Sequence, residues 1–131
     1  MQLRIDGSNL SDHFGNWLLE VAKQEIKKSF NKKKLESFSQ YMDITINIPV
    51  ETFLTKVLEA IVYTIDDEAI SIHIDRNTYL VGNIKLETLC RAINFGNTTQ
   101  KGYPIFTDVF SKIANNINEY VTLYKLTGGN I

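Results

Sequence analysis

Two helical stripes separated by a glycine and a proline shape the C-terminal third of this chain. Leu86, Leu89, Cys90 and Ile93 recur on one helical face. Gly96 follows where a left-handed C′ residue closes a helix. A polar loop, Thr98-Thr99-Gln100-Lys101-Gly102, leads to Tyr103-Pro104-Ile105-Phe106. Pro104 suits the first position of a new helix, where its missing N–H costs nothing. Phe106, Val109, Phe110, Ile113, Ile117, Tyr120, Val121 and Tyr124 then form the stripe of one long helix. The rest of the chain is read around this pair.

Upstream, the apolar period changes several times. Leu3 and Ile5 alternate with polar residues and predict a short strand, broken by Gly7, Ser8 and Asn9. Ser11 is placed to cap a helix from about Asp12 to about Ser29, in which Phe14, Trp17, Leu18, Val21 and Ala22 face the core and Ile26 and Phe30 drift off the stripe. Trp17 reads as the core anchor of that helix. Met42, Ile44, Ile46 and Ile48 alternate with polar residues in a strand ended by Pro49. Val50, Phe53, Leu54, Val57, Leu58, Ile61, Val62 and Ile65 keep helical spacing, which predicts a helix to about Ile65. The β-branched run Ile61–Ile65 suits a strand equally well. Asp66-Asp67-Glu68 is a solvated acidic turn, lacking the spaced ligands and glycine of a calcium loop. Ile70, Ile72 and Ile74 form another strand, and Tyr79-Leu80-Val81 a third short one before Gly82-Asn83. The fold class is therefore α+β: a small antiparallel sheet packed with three to four amphipathic helices, the last one long. Residues 1–131 read as a single domain with a frayed tail over 126–131.

Composition narrows the function classes. A chain of 131 residues with 44% hydrophobic content can bury a real core. A formal net charge of −1 gives no global pull towards nucleic acid or an acidic membrane. The local exception is a basic run, Lys27, Lys28, Lys32, Lys33 and Lys34, where cations suit a helix end and could meet phosphate or an acidic surface. No aromatic platform is read inside this run, which argues against specific single-strand recognition. A nucleic-acid-binding or host-modulating protein using Lys27–Lys34 is the alternative reading.

One cysteine excludes an internal disulfide and a cysteine-rich zinc site. Cys90 sits on an apolar face as a small core residue. His13 and His73 lie in unrelated elements, and His73 falls on the polar face of its strand. No phosphate-binding loop, nucleophile elbow or dinucleotide fingerprint is present. The residues point to no enzyme, no cofactor and no metal. No stretch approaches the ~20 apolar residues of a membrane helix, and the first residues lack a signal peptide's apolar core.

The run Ala92-Ile93-Asn94-Phe95-Gly96-Asn97, followed by Lys101-Gly102-Tyr103-Pro104-Ile105-Phe106 and a helix, resembles small virion proteins of tailed bacteriophages: head–tail connector, neck and tail-completion proteins. Members often carry an acidic residue before an aromatic-glycine-threonine signature, a variable loop, and an aromatic-proline step into a C-terminal helix. Here Asn94 replaces the acidic residue, Asn97 the threonine, and Ile105 separates Pro104 from Phe106. The resemblance covers about thirty residues. It implies a non-catalytic component of the virion, assembled in the host cytoplasm as a homo-oligomeric ring that joins portal and tail proteins. The positions matching the motif are Phe95, Gly96, Tyr103, Pro104 and Phe106.

Overall fold

A computed structural model describes residues 1–7, 11–33, 48–66, 68–97 and 101–128. The order of elements is β1 (Gln2–Asp6), α1 (Asp12–Lys33), α2 (Val50–Ala60), β2 (Ile61–Ile65), β3 (Ala69–Ile74), β4 (Tyr79–Val81), β5 (Ile84–Lys85), α3 (Leu86–Phe95), α4 (Ile105–Asn115) and α5 (Ile117–Thr127). The fold is α+β, with an antiparallel sheet of order β1-β3-β2 and a separate β4-β5 hairpin. The strand read over Met42–Ile48 falls largely outside the described residues.

Alternation makes the sheet one-sided. In β1, Leu3 and Ile5 are buried while Gln2, Arg4 and Asp6 are exposed. Residues i and i+2 share a face, so the apolar pair points at the helices and the polar set at solvent. Helix α1 packs on β2 and α4 on β1. The buried residues of sheet and helices form one cluster.

Ser11 caps α1 as its sequence implies, its Oγ accepting the Phe14 N–H at 3.1 Å. The helix continues to Lys33, past the expected end at Ser29. Ile26 and Phe30 do not drift off the stripe. They follow Ala22 in steps of four and are buried. Phe30 meets the rings of Phe53 and Phe106 edge-on, at 5.9 and 5.8 Å. Trp17 is 4% exposed and packs against Phe14 and the Tyr124 ring.

The helix expected over 50–65 ends at Ala60, and the chain becomes strand at Ile61 with no loop between. Four β-branched residues in five favour the extended state. Pairing with β3, from Ile61↔Ile74 to Ile65↔Ile70, supplies the hydrogen bonds. The helical spacing of Ile61, Val62 and Ile65 is coincidental. At the β2–β3 turn, Asp66 accepts the N–H groups of Glu68 and Ala69, both at 2.8 Å. Those two bonds hold its carboxyl below the usual carboxylate range. The stabilisation is present above the ordinary pKa of about 3.9 and lost as pH falls through the lower folded value. Asp66→Ala is therefore expected to be destabilised at pH 7, with its gap to the parent closing in acid. Thermal melts from pH 7 to pH 2 check this; a gap independent of pH refutes it.

The C-terminal stretch is helical as expected, with one break. At Asn116 the backbone turns to φ −118°, ψ 25°. The Asn116 side chain donates to the Lys112 carbonyl at 2.8 Å, competing with the helix ladder for that acceptor. Helices α4 and α5 run antiparallel to α1. Phe106 lies against Phe30, Lys112 pairs with Glu25 at 2.9 Å, and Tyr124 meets Trp17. Helix α5 extends through Thr127, inside the span read as tail, and Gly128 closes it in the left-handed region at φ 64°.

Candidate interaction surface

The glycine–loop–proline stretch forms a locked corner. Helix α3 ends at Phe95, and Gly96 takes φ 76°, ψ −171°. The φ is positive as the sequence predicts. The ψ, however, is extended, a combination that only glycine adopts readily and not the left-handed cap expected. The returning chain is tied twice. Gly96 and Lys101 form an antiparallel bridge, and the Tyr103 N–H donates to the Ile93 carbonyl at 2.7 Å. A Cβ on Gly102 would stand 2.5 Å from the carbonyl carbon of Phe95 and 2.6 Å from both the Asn94 oxygen and the Gly96 nitrogen. Only glycine lets the two backbones approach this closely.

Asn94 locks the corner to α4. It is 2% exposed, the one buried polar residue among those described. Its Oδ1 accepts the N–H of Phe106 at 3.0 Å and of Thr107 at 3.1 Å. Its Nδ2 donates to Thr107 Oγ1 at 3.3 Å. Pro104, at the N-cap position of α4, makes no side-chain cap bond. Asn94 caps that helix from the end of another, satisfying donors that every helix start leaves open. Pro104 thus stands one residue ahead of the first helical position expected for it.

Four of the motif positions meet at this corner. Phe95 is 58% exposed, off the buried stripe of α3, with the Arg91 guanidinium 5.6 Å from its ring centre. Gly96 and Tyr103 are half-buried and Pro104 is exposed. Phe106 is separate: it is fully buried and serves the core. Lys32 and Lys33 close α1, and Lys34 lies outside the described residues. The contact of Phe30 with Phe106 puts that basic end of α1 and the corner at the same end of the helical layer. In the sequence Asn94 stands out only as a departure from the resembled motif, and Gly102 only as a loop residue. The signal for the capping role of Asn94 is a polar residue bordering an apolar stripe, ahead of a helix led by proline.

A second apolar surface lies on α5, which contributes no fully buried residue. Leu126 is 80% exposed and Leu123 47%. Beside them is a cavity of about 230 Å³ lined by Trp17, Val21, Tyr120 and Leu123. Trp17 Nε1 is the one buried side-chain polar atom without a hydrogen-bond partner among the described residues. Near the start of α1, His13 Nδ1 and the Tyr124 hydroxyl share a hydrogen bond.

The titratable residues are dispersed. Burial pushes the Cys90 thiol far above its usual range, so it stays protonated. His73, Arg76, Glu87 and Arg91 line an open cleft, in which Arg76 and Glu87 approach to 4.0 Å. Among the described residues, no group of three His, Cys, Asp or Glu could hold a metal ion. Among them, too, no helix is long and apolar enough to cross a membrane. Comparison with protein-family models, curated proteins and solved structures finds no match for this chain.

Proposed function

We propose that the chain is a structural assembly protein, a head–tail connector or tail-completion component of a tailed-phage virion. It acts by associating with further copies of itself and docking on portal and tail proteins. The observation that supports this reading is the placement of two different apolar surfaces at opposite ends of one helical layer. Phe95 projects from the corner at the start of α4. Leu123 and Leu126 project from α5, beyond the far end of α4. A two-fold dimer needs only one self-complementary patch, whereas a closed ring needs two unlike patches that meet head to tail. The resemblance of residues 92–106 to neck proteins supplies the biological setting.

Light scattering across a concentration series, with negative-stain images of the same sample, tests this. The parent is expected to form closed rings of about six or twelve copies, as head-to-tail contacts allow. Phe95→Asp is expected to abolish them without lowering the melting temperature by more than about 2 °C, because the side chain is exposed. A parent that remains monomeric throughout and binds neither portal nor tail proteins overturns the reading.

A further inference from the structure

The end of α3 and the outer face of α5 carry opposite charges beside their exposed apolar side chains. On α3, Arg91 and Phe95 are one turn apart and both exposed, with the guanidinium 5.6 Å from the centre of the phenyl group. A guanidinium stacked on an aromatic face keeps the N–H groups of its edge free for a carboxylate. Its planar fork is also pre-organised, so little freedom is lost when that carboxylate arrives. Among the described residues Arg91 has no ion pair. Glu87, one turn back on the same helix, approaches Arg76 instead, at 4.0 Å.

Helix α5 offers the complement. Glu119, Leu123 and Leu126 keep the i, i+4, i+7 spacing of one helical face, and all three are exposed. Glu119, like Arg91, has no ion pair among the described residues. It is the one charge on that face, because Lys125, the other charged residue of α5, lies ~100° or more around the helix from all three. Leu123 also borders the cavity of about 230 Å³. An engineered cavity of ~150 Å³ already holds benzene, so a single phenyl group fits this one.

We propose that the head-to-tail contact is α3 of one copy laid along α5 of the next, with Phe95 seated at the cavity beside Leu123 and Arg91 paired with Glu119. This contact rests on the ring reading and gives it a register. The steps match: Arg91 to Phe95 and Glu119 to Leu123 each span four residues, ~6 Å along a helix axis. With the two helices parallel, both pairs meet at once. The apolar contact supplies affinity. The charge pair fixes orientation, since a head-to-head contact would set Arg91 against Arg91.

Charge reversal, read by sedimentation and negative-stain images, tests the contact. Arg91→Glu alone sets two carboxylates against each other, and Glu119→Arg alone two guanidinium groups. Each variant is expected to associate about tenfold or more weakly than the parent, while its circular dichroism stays that of the parent because both side chains are exposed. An equimolar mixture of the two variants is expected to form closed rings again, since alternating copies place opposite charges at every contact. Such rescue cannot come from a repaired fold, because neither chain has changed. Rings formed as readily by each single variant as by the parent overturn this contact and leave the ring reading standing. Variants that lose assembly and are not restored by mixing overturn it too. A parent that never associates overturns the ring reading and this contact together.

Discussion

Replacing Gly102 with alanine is expected to destabilise the protein by about 3 kcal/mol or more, lowering the melting temperature by about 10 °C. The added carbon would stand 2.5 Å from the backbone of Phe95 and 2.6 Å from two further backbone atoms. None of these is the free end of a side chain that could swing away. Relief requires the loop base to separate, which breaks the Gly96–Lys101 bridge or the bond from Tyr103 to Ile93. Gly82→Ala is the internal control. Gly82 has φ 52° and nothing within 4 Å of the new carbon. It is expected to lose only the left-handed strain, about 1 kcal/mol. Calorimetry on both variants checks the pair. Equal losses would mean that the corner is not closed at Gly102.

Asn94→Leu is expected to cost about 3 kcal/mol: about 1 for the lost helix cap and about 2 for leaving the buried Phe106 N–H unpaired. Leucine is close in size, so little of this reflects lost volume. Asn94→Asp keeps an acceptor for both N–H groups and places negative charge at the start of α4, where the helix dipole favours it. Its expected loss is below about 1 kcal/mol despite burial, since the two N–H donors and the dipole offset much of the desolvation. Urea unfolding monitored by Trp17 fluorescence separates the two variants. If aspartate proves as costly as leucine, the residue's role is not acceptance of hydrogen bonds at the helix start.

The elements that depend on spacing alone were legible in the sequence. The stripe of α3, that of α1 as far as Ala22, the alternation of β1 and β3, and the Ser11 cap all follow from local periodicity and chemistry; α4 and α5 read as one helix because the break at Asn116 interrupts no apolar spacing. Even the exposure of Phe95 follows from its place off the stripe of Leu86, Leu89, Cys90 and Ile93. What resisted reading depends on partners distant in sequence. Ile61–Ile65 satisfies helical spacing, and only β3, arriving later in the chain, makes the extended state the stable one. Asn94 looks like a departure from a motif until α4 folds back and offers it two N–H groups. Gly102 looks like an ordinary loop residue until its backbone meets the end of α3.

The pairing of β1 with β3 also governs the timing of synthesis. Strand β1 leaves the ribosome about 70 residues ahead of its ladder partner. At roughly 5–20 residues per second, Leu3 and Ile5 wait several seconds for Ile72 and Ile70 to appear. For most of that interval α1 is complete while β2 is still unmade, and α4, which also packs on α1, comes later still. The β2–β3 hairpin closes over a short turn and can form as soon as it emerges, so β1 joins a template that is already built. Strand β1 has no ladder partner until β3 is made, and both β1 and α1 stay partly uncovered until α4 follows at Ile105–Asn115.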